Sequence, residues 1–260
     1  MANTLYRIRI HISYDGTNYS GWQKQNSGVD TIQNKLEAAL SRVMNTPIKT
    51  MASGRTDAGV HAALQVVHAD VPRLPDANLK RSLNSLTPSS IVVRDIFQAP
   101  KDFHSIADCV SKTYEYLILN QPDPSAFRAN FTLWEPRQLD LTKLNAMAEV
   151  LLGTHDFKSF QTAGTEVKTT IRDISYAKWS KEAHNLVKFR ISGSGFLKQM
   201  VRNLVGTQLY LLHSKANYLE FNRILESCDR KEAKTSAPAG GLYLVAPAYP
   251  SELDNKCRKI

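Results

Sequence analysis

The sequence contains few cysteines and no long apolar run. Only three cysteines occur among 260 residues, and such widely spaced thiols favour neither a disulfide framework nor a zinc cluster. No segment approaches the roughly 18 consecutive apolar residues that a membrane-spanning helix needs. The alternating start, "MANTLYRIRIHISYDG", lacks the apolar core of a signal peptide. These absences predict a protein of the reducing cytoplasm without a membrane partner.

Motifs for cofactors and metals are also missing. The sequence has no glycine-rich dinucleotide fingerprint and no P-loop, so no nucleotide cofactor is expected. His61 follows Asp57 at a spacing that could bind a metal on a helix, but Gly59 between them disfavours a helix there. The other histidines show no ligand spacing. We therefore predict neither a metal nor a small-molecule cofactor.

Acidic residues are in deficit. The chain has 24 Asp and Glu against 33 Lys and Arg, which gives a formal net charge of +9. This surplus favours a polyanionic partner such as nucleic acid, although a solvated basic surface would have the same composition. The basic residues are spread along the chain, which suits a shaped groove better than a disordered tail.

Hydrophobic periodicity predicts a β-α-β-β-α-β order in the first hundred residues. The alternation in "YRIRIHI" predicts a half-buried strand with a basic open face. "DTIQNKLEAALSRV" predicts a helix that Asp30 caps, with Gln33 three residues on. The remaining elements are strands at "IKTMAS", "LQVVHAD" and "IVVRDIF" and a helix at "DANLKRSLNSL" with Asp76 near its cap.

The second part of the chain repeats this order. Its predicted elements are the strand "SKTYEYLIL", the helix "DLTKLNAMAEVLLG" ended by Gly153, the hairpin "TTIRDISYAKWS" and "NLVKFRIS", the helix "FLKQMVRNLVGTQLYLL" and the strand "GLYLVAP". Two such halves, residues 1–104 and 105–260, predict an α+β fold of two ferredoxin-like units. Laid edge to edge, they would form one extended antiparallel sheet with helices on one face and a basic cleft between the halves. "QPDPSAFRANF" is expected to be an inserted loop.

The stretch "SGRTDAGVHA", residues 53–62, places a carboxylate on a glycine-punctuated turn between two predicted strands. Asp57 either caps this turn through its own side chain or is presented for chemistry. Gly59 would let a ligand approach closely. Arg55, two residues away, would keep the carboxylate ionised, so that it could act as a nucleophile.

Two further stretches carry candidate site residues. Arg202 in "FLKQMVRN" follows a core position directly and is therefore rotated by about 100° from it on a helix. The "SGSG" before Phe196 resembles a tight turn into a helix N-terminus, a feature often used near phosphates. Tyr114 and Tyr116 in "KTYEY" share a strand face, where they either stack on nucleobases or belong to the core. None of these stretches decides a function alone.

Several blocks together are more specific than any one of them. They occur in the order "YDGTNYSGWQKQ", "TIQNKLEAAL", "SGRTDAGVHA", "FH", "KTYEY", "HDFKSF", "FLKQMVRNLVG" and "GLYLV". In this order they resemble the tRNA pseudouridine synthase A (TruA) family across nearly the whole chain. The Gly-Arg-Thr-Asp-Ala-Gly-Val-His-Ala block is the most diagnostic.

The resemblance implies an isomerase that converts uridine to pseudouridine in the tRNA anticodon stem-loop, typically at positions 38, 39 and 40. It implies a homodimer that needs no cofactor or metal. It places the essential aspartate at Asp57, the arginine that pairs with it at Arg202, and the tyrosine that packs on the target base at Tyr114. Arg55 matches an arginine that helps to flip the nucleotide, and Leu242 is expected to line an apolar wall.

The chain departs from the family pattern at a few positions. An arginine is common where this sequence has Ile106 and Gln161, and a "YHM" stretch is common where it has Lys198 and Gln199. These positions are expected to contact RNA rather than to take part in the reaction. The departures leave the reaction type intact and bear on which uridines are modified.

Two other classes of function remain as alternatives. A non-catalytic RNA-binding module would leave tRNA unchanged, but binding alone has no need for a carboxylate that faces a polyanion. A hydrolytic glycosidase with an aspartate nucleophile would normally need a second carboxylate nearby, and the sequence shows no evident partner for Asp57.

Overall fold

The computed structural model describes residues 5–25, 28–165, 167–214 and 216–260, so the first four residues of the alternating N-terminal stretch lie outside the described residues. The chain divides into two compact units, Met1–Val110 with Leu244–Ile260, and Ser111–Tyr243. The strands are mostly antiparallel, and six α-helices occur within the described residues, which confirms the predicted α+β class. Within the same ranges, no helix is both long enough and apolar enough to span a membrane.

The first unit contains the predicted β-α-β-β-α-β order. Its elements are β1 (Tyr6–Tyr14), α1 (Ile32–Met44), β2 (Thr50–Ala52), β3 (His61–Val71), α2 (Leu79–Leu86) and β4 (Ile91–Gln98). Strand β1 lies between β3 and β4, β2 pairs with β3, and all three pairings are antiparallel. The isoleucines of β1 are completely buried, as the alternation predicted.

The second unit is built around a three-stranded antiparallel core. Its elements are β5 (Ser111–Leu119), β6 (Leu133–Trp134), α3 (Leu141–Glu149), β7 (Gly153–Asp156), β8 (Ile171–Lys181), β9 (Leu186–Gly193), α4 (Met200–His213) and α5 (Tyr218–Glu226). Strand β9 lies between β5 and β8, and β7 extends the sheet beyond β8. The short β6 pairs with β5 in parallel. The predicted hairpin of β8 and β9 is confirmed.

The chain ends with β10 (Leu242–Ala248), α6 (Ser251–Lys256) and β11 (Arg258–Lys259), and β11 pairs with β4. This C-terminal segment covers the face of β1 that was predicted to be basic and open. Arg9 is only 6% exposed. Its guanidinium lies 4.5 Å from the centre of the Tyr249 ring and 5.4 Å from that of Phe103, and it pairs with Asp254. The prediction of an open basic face is therefore wrong, because residues distant in sequence pack onto it.

Some helix boundaries also differ from the predictions. Helix α1 is capped by Thr31 rather than Asp30, since the Thr31 side chain accepts a hydrogen bond from the Asn34 N–H. Helix α3 ends at Glu149, and Gly153 instead begins β7. Helix α4 begins only at Met200, so the "SGSG" stretch is not at its N-terminus.

The late start of α4 has a local cause. Gln199 has a φ of 60°, in the left-handed region, which ends any helix that would extend from Phe196. Helices α5 and α6 and strands β6, β7 and β11 were not predicted. Several are too short for periodicity to reveal them, and β6 and β11 each span two residues.

Candidate active site

The first half of the turn that carries Asp57 is fixed to β3. Ser53 is only 1% exposed. Its N–H donates to the Val66 carbonyl at 2.7 Å, and its hydroxyl donates to Gln65 Oε1 at 2.5 Å. Gln65 Nε2 donates in turn to the Gly54 carbonyl at 2.8 Å. These buried hydrogen bonds hold the backbone on the N-terminal side of Asp57.

The rest of the turn, from Thr56 to Gly59, is fixed to the end of β1 and to the segment that follows it. Tyr14 and Thr56 share a buried hydrogen bond of 2.8 Å between their hydroxyl groups. The Trp22 N–H donates to the Thr56 carbonyl at 3.1 Å, and the Gly59 N–H donates to the Tyr19 carbonyl at 3.3 Å. Burial raises the pKa of Tyr14 to about 12, so its hydroxyl remains protonated. The "YDGTNYSGWQKQ" block therefore acts as a scaffold for the "SGRTDAGVHA" block.

Two glycines of the scaffold make this packing possible. A Cβ on Gly21 would lie 2.5 Å from the Thr56 carbonyl oxygen and 3.1 Å from the carbonyl carbon of Asp57, and Gly21 has a φ of 88°. A Cβ on Gly16 would lie 2.0 Å from the Val60 carbonyl oxygen. Only residues without a side chain allow the two backbones to approach so closely.

The side chains of Asp57 and Arg55 lie at the surface, whereas Ser53 and Thr56 of the same turn are buried. Asp57 is half-buried and Arg55 is exposed. The Val60 N–H donates to the Asp57 carbonyl at 3.1 Å and closes the turn. His61 is buried, and its Nδ1 accepts the Gly16 N–H at 3.1 Å. His61 thus supports the loop through its contact with Gly16.

Tyr114 and Tyr116 on β5 lie in different environments. Tyr114 is 8% exposed and meets the Phe196 ring edge to face, with the ring centres 5.0 Å apart. Tyr116 is completely buried, and its hydroxyl donates to the Pro238 carbonyl at 2.8 Å. Burial raises the pKa of Tyr116, an effect that the charge of Arg202 opposes. Tyr116 is thus a core residue, and the contact of Tyr114 with Phe196 is a feature that the strand pattern could not reveal.

Arg202 lies in the first turn of α4 and is half-buried. Its Nε donates to the Ala237 carbonyl at 2.8 Å, and the Ala237 N–H donates to the Arg202 carbonyl at 3.0 Å. Leu242, at the start of β10, is 5% exposed. Arg202, Tyr114 and Leu242 belong to the second unit, whereas Asp57 and Arg55 belong to the first.

The positions that depart from the family pattern fall into two groups. Ile106 and Lys198 are exposed. Gln161 Nε2 donates to the Thr165 carbonyl at 2.5 Å, and Gln199 Oε1 accepts the Thr162 hydroxyl at 3.0 Å. Gln161 therefore forms a hydrogen bond within the loop of residues 161–165, and Gln199 forms one to the same loop. Within the described ranges, no group of three His, Cys, Asp or Glu side chains could hold a metal ion.

Comparisons with known proteins agree on one family. A family model described as tRNA pseudouridine synthase matches residues 10–106 and 147–250. The chain is 44% identical over 259 residues to the tRNA pseudouridine synthase A of Bdellovibrio bacteriovorus, covering 98% of this chain and 99% of that protein. It is 40% identical over 256 residues to that of Chlamydia muridarum, covering 97% and 95%. It is 39% identical over 248 residues to that of Geobacillus kaustophilus, covering 95% of each.

Among solved structures, similarity extends to a chain of an archaeal box H/ACA sRNP Nop10-Cbf5 complex. The TM-score is 0.35 at 14% identity, over 78% of this chain and 43% of that chain, which is too distant to bear on fold or function. The family model, by contrast, matches well over half of the chain, and the relatives align along nearly its whole length. The chain therefore belongs to the tRNA pseudouridine synthase family.

Proposed function

We propose that the protein isomerises uridine to pseudouridine in tRNA and that Asp57 is its essential carboxylate. The observation that supports this assignment is the held turn. Buried hydrogen bonds of Ser53 and Thr56 hold the chain before Asp57, and the Gly59 N–H, which donates to the Tyr19 carbonyl, holds it afterwards. The Asp57 side chain itself stays half-buried. A reacting group held in one geometry lowers the entropic part of the barrier. A turn that needed Asp57 only as a cap would not require this scaffold.

The reaction rearranges one nucleotide without adding or removing atoms overall. The bond between N1 of uracil and C1′ of the ribose breaks, the uracil rotates, and C5 bonds to C1′. The proton on C5 leaves to solvent and N1 takes up a proton. Asp57 either attacks C1′ directly or assists elimination to a glycal. Neither route needs an oxidant, a metal or a cofactor.

The detached uracil has to stay in the site while it rotates. Tyr114 is suited to stack on it, because the edge-to-face contact with Phe196 restrains the tyrosine ring. Leu242 would supply an apolar wall that excludes water. Water exclusion prevents hydrolysis of the sugar intermediate and thereby keeps the reaction an isomerisation.

Arg202 is proposed to pair with Asp57. A guanidinium bonds a carboxylate strongly and in a defined plane, which would orient Asp57. Arg55 is exposed on the same turn as Asp57. It would fill or guide the gap that the target base leaves, since a base inside a stem has to be extruded before it can rotate.

The charge of the protein supports a tRNA substrate. We propose two ferredoxin-like halves, 1–104 and 105–260, in one extended sheet with a basic cleft; the strand order β4-β1-β3-β2 in the first unit supports this proposal. The net charge of +9 favours a polyanion. The proposed target is the anticodon stem-loop at positions 38, 39 and 40, bound by a cytoplasmic homodimer.

The test uses tRNA that carries tritium at C5 of its uridines, from which each turnover releases one tritium to water. Asp57→Asn and Asp57→Ala should abolish release while tRNA binding, measured by filter retention, persists. The matched control is Asp30→Asn, because Asp30 is an exposed carboxylate of the same unit whose partner is Lys35 at 2.6 Å. Asp30→Asn should release tritium at the wild-type rate.

Each alternative has its own outcome. Turnover by Asp57→Asn would exclude Asp57 as the essential carboxylate. Free uracil among the products would indicate a glycosidase, and tRNA binding by an inactive wild-type protein would indicate a binding module. Mapping pseudouridine in tRNA from cells that lack the protein, with and without complementation, identifies the modified positions.

A further inference from the structure

Residues 233–238, here called the strap, run antiparallel along α4. Near the middle of the helix, the Lys234 N–H donates to Thr207 Oγ1 at 3.0 Å. Near the start of the helix, the Ala237 N–H donates to the Arg202 carbonyl at 3.0 Å. The strap has no regular secondary structure of its own, so α4 determines its course.

The middle of the strap lies directly on the helix. A Cβ on Gly206 would lie 1.9 Å from the Thr235 carbonyl oxygen. Glycine is a poor helix former, and its place inside α4 is explained by this close approach. Next to it, the Ser236 hydroxyl donates to Asn203 Oδ1, and Asn203 Nδ2 donates to the Phe160 carbonyl at 2.7 Å. Asn203 is completely buried, so the strap is anchored through the core of the unit.

The end of the strap is tied to the strand that carries Tyr114. The Pro238 carbonyl accepts the Tyr116 hydroxyl at 2.8 Å, and Tyr116 lies on β5 two residues after Tyr114. The strap therefore joins two elements of the second unit, the helix that carries Arg202 and the strand that carries Tyr114.

We propose that the strap positions the guanidinium of Arg202 for the reaction, with Gly206 and Tyr116 as positioning residues. This inference rests on the proposed function. The Ala237 carbonyl accepts the Arg202 Nε–H at 2.8 Å, which fixes the plane of the guanidinium. Because a guanidinium donates its hydrogen bonds within that plane, a shift of the strap would misdirect the group without removing its charge.

The first test is Gly206→Ala, which adds a methyl group where the Thr235 carbonyl lies. The Thr235 carbonyl has to move by about 1.5 Å to reach ordinary contact at 3.4 Å, so the single-turnover rate of tritium release should fall on the order of 100-fold. The tRNA dissociation constant should change by less than about twofold, because no group that binds the ground state is lost. The control is Gly195→Ala, whose Cβ would have its nearest contact at 3.6 Å, with Arg172, and which should keep the wild-type rate.

A second variant covers the case in which Gly206→Ala does not fold. Tyr116→Phe removes only the hydroxyl that holds Pro238 and should lower the rate about tenfold, again with little change in tRNA affinity. Its matched control is Tyr243→Phe, which removes a hydroxyl that donates to the Phe131 carbonyl at 2.8 Å in the same unit. The two substitutions delete the same kind of bond, so a general loss of stability would affect both alike.

A double-mutant cycle separates positioning from support of the fold. In an Arg202→Lys background, the strap has no Nε–H to orient, so Gly206→Ala and Tyr116→Phe should slow the reaction little further. Additive effects in this cycle, or wild-type rates in both single variants, would overturn the role of the strap. The proposed function would still stand in that case, because the wild-type protein is active. A wild-type protein that releases no tritium refutes the proposed function, and the role of the strap with it.

Discussion

Replacing Gly21 by alanine should slow catalysis although it removes no reacting group. Gly21 has a φ of 88°, and a Cβ there would lie 2.5 Å from the Thr56 carbonyl oxygen. Thr56 immediately precedes Asp57, so relief of this overlap has to move the turn that carries the proposed catalytic carboxylate. The perturbation therefore reaches Asp57 through the backbone alone.

The magnitude follows from the geometry. Ordinary contact begins at 3.4 Å, so the Thr56 carbonyl has to shift by about 0.9 Å. A displacement of about 1 Å at a reacting group costs on the order of 100-fold in rate, which corresponds to about 2.7 kcal/mol of barrier. The left-handed backbone adds about 1–2 kcal/mol of strain to the folded state.

The assay compares Gly21→Ala with Gly28→Ala. Gly28 has a φ of 72°, but no atom of the described chain lies within 4 Å of its Cβ position. Both variants should lose stability to backbone strain in urea unfolding, Gly21→Ala the more because of its overlap with Thr56. Only Gly21→Ala should lose single-turnover tritium release. A folded Gly21→Ala protein with the wild-type rate would refute the view that the scaffold aims Asp57.

Two further predictions concern stacking and pH. Tyr114→Leu should slow tritium release on the order of 10- to 100-fold, the value of one base–aromatic stack, whereas Tyr114→Phe should stay within a few-fold because it keeps the ring beside Phe196. The free energy of unfolding should fall as the pH drops from about 6.5 toward 4, because burial lowers the pKa of His68 to about 4. Between these pH values the unfolded chain binds more protons than the folded one, so protonation favours unfolding. His68 is only 8% exposed, and the full shift of its pKa corresponds to a loss of about 3 kcal/mol in the free energy of unfolding.

Each of these predictions has a result that contradicts it. Equal rates for Tyr114→Leu and Tyr114→Phe would remove the case for stacking. For the pH effect, the free energy of unfolding of His68→Gln should fall less steeply between about pH 6.5 and 4 than that of the wild type. If the slope of the free energy of unfolding against pH is unchanged, His68 is not the source of the effect. Burial lowers the pKa of His11 to about 4 as well. His11 therefore contributes to the pH dependence in the same range, and the contribution of His68 is the difference between the slopes of the wild type and the variant.

The sequence alone determined the features that depend on near neighbours. The alternation of β1 identified its buried isoleucines, and the order of helices and strands identified the α+β class. The glycines and charged residues around Asp57 identified the candidate site, because all of them lie within a stretch of ten residues. The family resemblance rested on the same short blocks.

Tertiary structure decided the features that join distant parts of the chain. The basic face of β1 became a covered surface because Tyr249 and Asp254 pack onto Arg9. Similarly, the reason for glycine at position 206 emerges only where the strap crosses α4. Local propensity is set by a residue's immediate neighbours in the chain, whereas burial and hydrogen bonding depend on which distant residues fill the space around it. For that reason the sequence identified Asp57 as a candidate, and only the fold revealed how its turn is held.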